Sequence, residues 1–325
     1  MTRALAALTG LAVGDALGMP GQTLSRADIR ARYGRIEGFV APFEGHPVSH
    51  GLRAAQITDD TEQTLLLARR LIADPDGFDD AGWARDLLAW QDGVAARGLA
   101  DLLGPSTSAA IAALLAGEPP ERTGDRGTTN GAAMRVAPVG IMTPPDVGRV
   151  ADRVARASRL THNTGEAIAA ASAVAMAVSC GVSGAGLDAA LDPALAAARH
   201  GQRLGRDVGE PDMAARIALG LRLAEQGDME ALIARIGTSV ASRESVPMAF
   251  ALLRMAGDDL WQALLEAANV GGDTDSIGAI AGAMGGATGG RLPSGAVAQV
   301  MAANALDLAP VARALVAVRH AQEVA

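Results

Sequence analysis

Gly271-Gly272-Asp273-Thr274-Asp275-Ser276 and, far upstream, Thr58-Asp59-Asp60-Thr61 are the stretches on which the reading of this chain turns. Each packs two carboxylates and neighbouring hydroxyls into a few residues. Each runs straight into an apolar helical pattern, Glu62 to Ile72 after the upstream box and Ile277 to Ala287 after the other. Asp, Thr and Ser are ordinary helix N-caps. A cap needs one acceptor oxygen, however, and the paired acids exceed that need. Four acidic side chains and up to four hydroxyls at two helix N-termini make a donor set for one or two hard cations. Mg²⁺, Mn²⁺ and Ca²⁺ prefer such oxygen ligands, whereas zinc selects His or Cys.

Outward from these boxes the hydrophobic pattern is helical from end to end, and period-2 strands are absent. It predicts helices over 2–18, 60–73, 79–93, 107–117, 145–159, 164–181 and 184–198. Further helices are predicted over 211–225, 229–236, 247–256, 258–269, 276–287, 294–304 and 309–322. Hydrophobic residues make up 49% of the 325 positions but aromatics only 2%. The core must therefore come from Ala, Leu, Val, Ile and Met, which suit closely packed helices. With no fixed repeat and no low-complexity linker, one compact all-α domain over 1–325 is expected. Two broken stretches, 19–57 (with room for one short helix near 26–33) and 119–135, are long enough to serve as functional loops.

The net charge of −8 argues against a nucleic acid polymer as partner, because phosphate backbones need a basic surface. A small phosphorylated ligand held by a metal and backbone amides remains compatible with it. All 28 basic residues are Arg. Cys180 is the only cysteine, so no internal disulfide forms, and a cytoplasmic setting is expected. Residues 1–19 are apolar, but Asp15 and the glycines at 10, 14 and 18 do not suit a signal peptide. Ala167 to Leu187 is long enough to span a membrane, yet it is diluted by Ser and Gly and breaks at a turn near Gly181. A buried helix is expected there, with no membrane partner.

Three further motifs stand out. Gly10 to Gly18 combines glycines four apart with Asp15, the pattern of a helix packed tightly on a neighbour. Asn130-Gly131-Ala132-Ala133-Met134-Arg135-Val136-Ala137-Pro138 reads as a loop entering a helix that Pro138 ends or kinks, and its amides suit an anion or a simple helix start. In Thr161-His162-Asn163 the histidine is more often a structural group than a ligand. His46, His50, His200 and His320 are expected to be solvated.

Taken in order, Gly14-Asp15-Ala16-Leu17-Gly18, Thr58-Asp59-Asp60-Thr61, Asn130 to Arg135, Thr161-His162 and the Gly271-to-Ser276 box resemble the ADP-ribosylglycohydrolases. Glu244-Ser245-Val246-Pro247-Met248-Ala249 is similar to a late helix of that family, and the resemblance spans about residues 5 to 290. It implies an all-α orthogonal multi-helix bundle with a binuclear Mg²⁺ or Mn²⁺ centre at the base of a cleft. The implied ligands are Thr58, Asp59, Asp60, Asp273, Asp275 and Ser276. Substrate would meet Asn130, Gly131 and Ala132, with phosphates near that loop, together with His162, Gly271 and Gly272.

Relatives carry a glutamate just after the first glycine box, where this chain has Gln22. An amide cannot act as a general base. The base would then be Asp60, assisted by Asp59, or a metal-bound hydroxide, or Glu37 or Glu44 from the same loop. The implied activity is hydrolysis at the ribose anomeric carbon of an ADP-ribosylated protein or other substrate, releasing ADP-ribose. The alternatives are a hydrolase of a smaller ribosyl compound such as a nucleoside, or a non-catalytic ADP-ribose or metal-binding protein. The acceptor linkage and the oligomeric state are not fixed by the sequence.

Overall fold

A computed structural model describes residues 1–99 and 102–324. Among them the chain forms seventeen α-helices and no strand beyond two isolated bridges. Helix α1 (Thr2–Gly18) passes through a 3₁₀ turn (Met19–Gly21) and α2 (Arg26–Tyr33) into a long irregular segment. Then come α3 (Asp59–Ala73), α4 (Asp80–Ala96), α5 (Pro105–Leu115), and the short α6 (Gly131–Met134) and α7 (Ala137–Met142). The middle of the chain supplies α8 (Val147–Ser158), α9 (Gly165–Val182), α10 (Leu187–Gln202), α11 (Met213–Ala224) and α12 (Met229–Ile236). The last five are α13 (Ser242–Ala256), α14 (Leu260–Asn269), α15 (Thr274–Thr288), α16 (Ser294–Ala303) and α17 (Ala309–Val324).

One contiguous apolar cluster runs from α1 to α17 and is built mainly of Ala, Leu, Val, Ile and Met, as the composition requires. Helix α9 lies inside it, with every residue from Gly165 to Gly181 buried. Thr2–Gly21 (α1 with the 3₁₀ turn that follows it) and α9 are both long and apolar enough to cross a membrane, and both are largely buried inside the protein.

The contact that positions everything else is between α1 and α15, which run antiparallel with backbone against backbone. A Cβ at Gly14 would lie 2.0 Å from the Gly278 carbonyl oxygen, and one at Gly10 2.1 Å from that of Gly282. Gly278, Gly282 and Gly286 face α1 in the same way, so the four-residue glycine spacing is a contact surface. The pairing brings the C-terminal half of α1, with Asp15, beside the first turn of α15, with Asp273, Asp275 and Ser276.

Three expectations are corrected by the structure. Residues 130–138 form two short helices, and Pro138 lies in the first turn of α7, where its missing N–H costs nothing. Helix α13 begins at Ser242, before Pro247. The Arg243 carbonyl that a residue-247 N–H would have capped instead accepts from Arg216 Nε at 3.1 Å, so the proline is tolerated inside the helix. His46 is buried rather than solvated: its Nδ1 accepts from the amides of Val48 (3.2 Å) and Ser49 (2.9 Å) and so closes a loop turn. That bonding places the proton on Nε2, and burial lowers its pKa. His50 and His320 are exposed, and His200 is half-buried.

Candidate metal centre and cleft

The two acid boxes meet although some two hundred residues separate them. In the first, Thr58 is the N-cap of α3, and its hydroxyl accepts from the Asp60 amide at 3.3 Å. Asp59 and Asp60 are then the first helical residues, so capping does not use their carboxylates. Asp273 occupies the N-cap of α15 but makes no capping bond. The acids are thus free of the structural duty that would have explained them individually, and both helix N-termini favour negative charge. Gly271 and Gly272, at φ +79° and +75°, reverse the chain just before Asp273. They are pinned by Gly272 N–H to the Leu24 carbonyl (2.7 Å) and Asp273 N–H to the Thr238 carbonyl (2.8 Å).

Asp15, not counted among the site residues by the sequence, is the organiser beneath them. Its fully buried carboxylate accepts from the Thr58 amide at 3.1 Å, the Thr58 hydroxyl at 2.8 Å and the Thr61 amide at 3.1 Å, and also from the Thr61 hydroxyl. Those four donors fix the turn that aims Asp59 and Asp60. Burial raises the Asp15 pKa to about 6 against the opposing pull of the donors.

The other acids are pushed up as well, in each case chiefly by burial. Asp59, Asp60 and Asp275 lie well above the usual carboxylate range, with neighbouring carboxylates adding to the shift. Asp273 is raised too, with hydrogen bonding from Asn130 and Ser276 opposing the effect of burial. Asn130 Nδ2 donates to Asp273 at 2.5 Å and to Ser245 Oγ at 3.0 Å. Asp60 Oδ1 and both Asp275 oxygens are buried with no hydrogen-bond partner among the described residues. So dense a set of carboxylates, with lone pairs left over, demands protons or cations.

A buried relay leads from these acids to the far wall of the cleft. Asp59 accepts from Gln63 Nε2 at 3.0 Å, and Gln63 Oε1 accepts from Arg135 Nη1 at 2.7 Å. Arg135 Nη2 donates to Thr161 Oγ1 at 2.5 Å, whose hydroxyl lies 2.7 Å from His162 Nδ1. His162 Nε2 is 3.0 Å from Thr129 Oγ1. Arg135 donates both ways, and outward from it the bonds run through Thr161 to Thr129 with the His162 proton on Nε2; burial beside Arg135 keeps that ring neutral. His162 thus stands behind the cleft, against Gly131, as a strut.

Above the acids opens a cavity of about 210 Å³. Asp59, Asp60, Asp273 and Ser276 reach it, as do Gln22, Asn130 and Gly131. Thr58, Asp275, Ala132, His162, Gly271 and Gly272 do not line it. Ser49 Oγ donates to Gln22 Oε1 at 2.9 Å, which holds the amide at the rim. Glu37 and Glu44 are exposed and outside the cavity, so neither replaces a glutamate at position 22.

A family profile described as ADP-ribosylglycohydrolase matches residues 1–324. The chain belongs to the ADP-ribosylglycohydrolase family. A solved structure described as an ADP-ribosylglycohydrolase-related protein complex superposes with a TM-score of 0.69 at 25% identity, covering 98% of this chain and 97% of that one. The uncharacterized Escherichia coli protein YegU is 36% identical over 330 residues, 99% of this chain and 98% of its own. The ADP-ribosyl-[dinitrogen reductase] glycohydrolase of Rhodospirillum rubrum is 32% identical over 173 residues, about half of each chain.

Family membership raises the question of a divalent cation, and the donor chemistry here fits one. The ligand atoms are all oxygen, three carboxylate oxygens are orphaned, and no side chain in the cluster favours a soft metal. No three acidic side chains among the described residues close on one point by themselves. Hydroxyl oxygens and ordered water would have to complete a coordination shell around any cation held there.

Proposed function

We propose that this member of the ADP-ribosylglycohydrolase family is a divalent-metal-dependent hydrolase that cleaves a glycosidic bond at the anomeric carbon of a ribosyl substrate. The observation that carries the reading is the buried acidic floor of the cleft, where Asp60 has an unpartnered oxygen, backed by Asp275 outside the cavity lining with both of its oxygens unpartnered. Thr58, Asp59, Asp60, Asp273, Asp275 and Ser276 would hold Mg²⁺ or Mn²⁺. When bound, the cation supplies positive charge for the ribose hydroxyls and lowers the pKa of a nearby water.

The chain's own residues do the rest. Asp15 holds the Thr58 turn, so the Asp59 and Asp60 carboxylates stay aimed into the cleft. Asp60 orients the attacking water and takes its proton. Positive charge that develops at the anomeric carbon in an oxocarbenium-like transition state lies over carboxylates rather than over basic groups. Gln22 cannot exchange a proton, so it orients substrate through its amide.

The experiment is chromatographic detection of ribosyl products from ADP-ribosyl-arginine and from nucleosides in Mg²⁺, with Asp60→Asn run alongside. Turnover in the variant should fall by roughly 10²–10⁴-fold, the usual range for a general base. A much smaller loss with metal still bound would count against that role. No product from any ribosyl substrate, in Mg²⁺ or Mn²⁺, would point instead to a binding protein.

A further inference from the structure

Arg135 is fully buried, and among the described residues no carboxylate contacts its charge. Its guanidinium stands 5.5 Å over the Trp83 ring and donates to two neutral acceptors, Gln63 Oε1 at 2.7 Å and Thr161 Oγ1 at 2.5 Å. Burial lowers its pKa to about 10, which still leaves it cationic at neutral pH, and Asp59 is the acid whose charge acts on it. A buried cation without a direct counter-ion is costly, and an apolar side chain on the Trp83 ring would serve the fold better. The guanidinium therefore points to a task other than packing.

The task follows from the atoms it offers. A guanidinium has only donors, so the Gln63 amide must turn its oxygen to Arg135 and its NH₂ to Asp59. Without the arginine that amide could rotate by half a turn and set an oxygen against a carboxylate. Gln63 is fully buried one helical turn after Asp59 on α3, and its Nε2 meets Asp59 Oδ2 at 3.0 Å. One Asp59 oxygen is thereby held from behind, while the residue still reaches the cavity. Asp60, next to it, has nothing comparable. Its Oδ1 is unpartnered, and its Oδ2 accepts a long bond from Ser276 at 3.4 Å. Two consecutive acids are held unequally, one clamped and one free.

We infer that Arg135, acting through Gln63, is a positioning residue that makes Asp59 the fixed cation ligand of the site and leaves Asp60 free to attend to the water. This rests on the metal-dependent reading above. The fork matters as well as the charge. Nη1 reaches an acceptor on α3 and Nη2 one on the Thr161 turn, so Gln63 is set against a rigid frame rather than against a single contact. Lysine would carry the same charge without the planar fork. Partners of this outer kind orient a metal ligand although they never touch the metal.

The test is calorimetric titration of Mn²⁺ into the full-length, chelator-treated protein, for wild type, Arg135→Lys, Gln63→Met and the double variant, each checked by a thermal melt. Loss of an outer partner typically costs 10–100-fold in metal affinity, so each single variant should raise the Kd by about tenfold or more. The charge at position 135 is unchanged in Arg135→Lys, so its loss reports orientation and not electrostatics. The double variant should bind no more weakly than the worse single one, because both cut the same chain of bonds. Leu232→Ala, which opens a hole in the core at the fully buried position of α12, should lower the melting temperature and leave the Kd unchanged. Wild-type affinity in either single variant, additive losses in the double, or an equal loss in Leu232→Ala would overturn this inference and leave the metal site standing. A wild-type protein that binds no Mn²⁺ would overturn the metal-dependent reading with it.

Discussion

Replacing Gly14 by alanine should damage the protein out of proportion to one methyl group. The new Cβ would sit 2.0 Å from the Gly278 carbonyl oxygen, 2.4 Å from its carbon and 3.0 Å from the Ala279 nitrogen. Ordinary contact is more than about 1 Å longer. All three atoms are backbone, so no rotamer change can clear them, and α1 and α15 must part. Overpacking typically costs ~1–3 kcal/mol, and a backbone-on-backbone clash belongs at the upper end. At ~2.1 cal/mol/K of unfolding entropy per residue, that upper end corresponds to roughly 4–5 °C in melting temperature for 325 residues. Gly93→Ala is the control: Gly93 lies exposed in α4 with nothing within 4 Å of its added Cβ. It should gain ~0.5–1 kcal/mol from helix propensity. Scanning calorimetry of both variants decides the matter. A Gly14→Ala protein melting within about 2 °C of wild type would refute the claim that these helices touch through their backbones.

The acid cluster makes three more predictions. In chelator, melting temperature should climb as pH falls from ~6.5 towards 4: folded-state pKa values raised above the unfolded ones, as for Asp15 at about 6, give stability that is complete below the unfolded value near 3.8 and lost as pH rises from there through 6. The Asp15 shift alone amounts to about 3 kcal/mol over the full range. Saturating Mg²⁺ should flatten that slope, and a slope already flat in chelator would count against the cluster as drawn. Asp15→Asn offers one carbonyl to four donors, at ~1–3 kcal/mol for each buried donor stranded, but relieves a charge of similar cost. Its melting temperature should therefore change little while divalent-cation affinity by calorimetry drops about tenfold or more; unchanged affinity would deny Asp15 its organising role. Gln22→Glu should alter kcat less than about tenfold if wild type turns over, whereas activity gained from an inert wild type would show a binding protein that lost its acid.

What the sequence made legible was what it kept local. The acid boxes could be read because their donors are contiguous, α3 because its apolar face repeats with the helical period, and α1, α9 and α15 because they are long runs of small apolar residues. The role of Asp15 was not legible, since its partners Thr58 and Thr61 lie 43 and 46 residues away. For the same reason the relay from Asp59 to Thr129 left no pattern along the chain. Pro138 and Pro247 misled in opposite directions. The first starts a helix that its ring seemed to end, and the second sits inside one because Arg216, from another helix, supplies the lost bond. His46 resembled a surface histidine because nothing in its neighbours announced that two amides would close on its Nδ1.

The α1–α15 contact also has a bearing on synthesis. Gly18 and Thr274, joined through the threonine hydroxyl and the Gly18 carbonyl, are 256 residues apart. The nascent chain emerges N-terminus first, so α1 must wait for almost the whole polypeptide before its glycine face finds its partner. Until then Asp15, Asp59 and Asp60 remain in water and do not face Asp273 and Asp275. Mutual repulsion among the five carboxylates is therefore met only at the last stage of folding, when the rest of the core is available to oppose it. A ribosome-bound fragment ending before α15 should accordingly carry no high-affinity divalent-cation site.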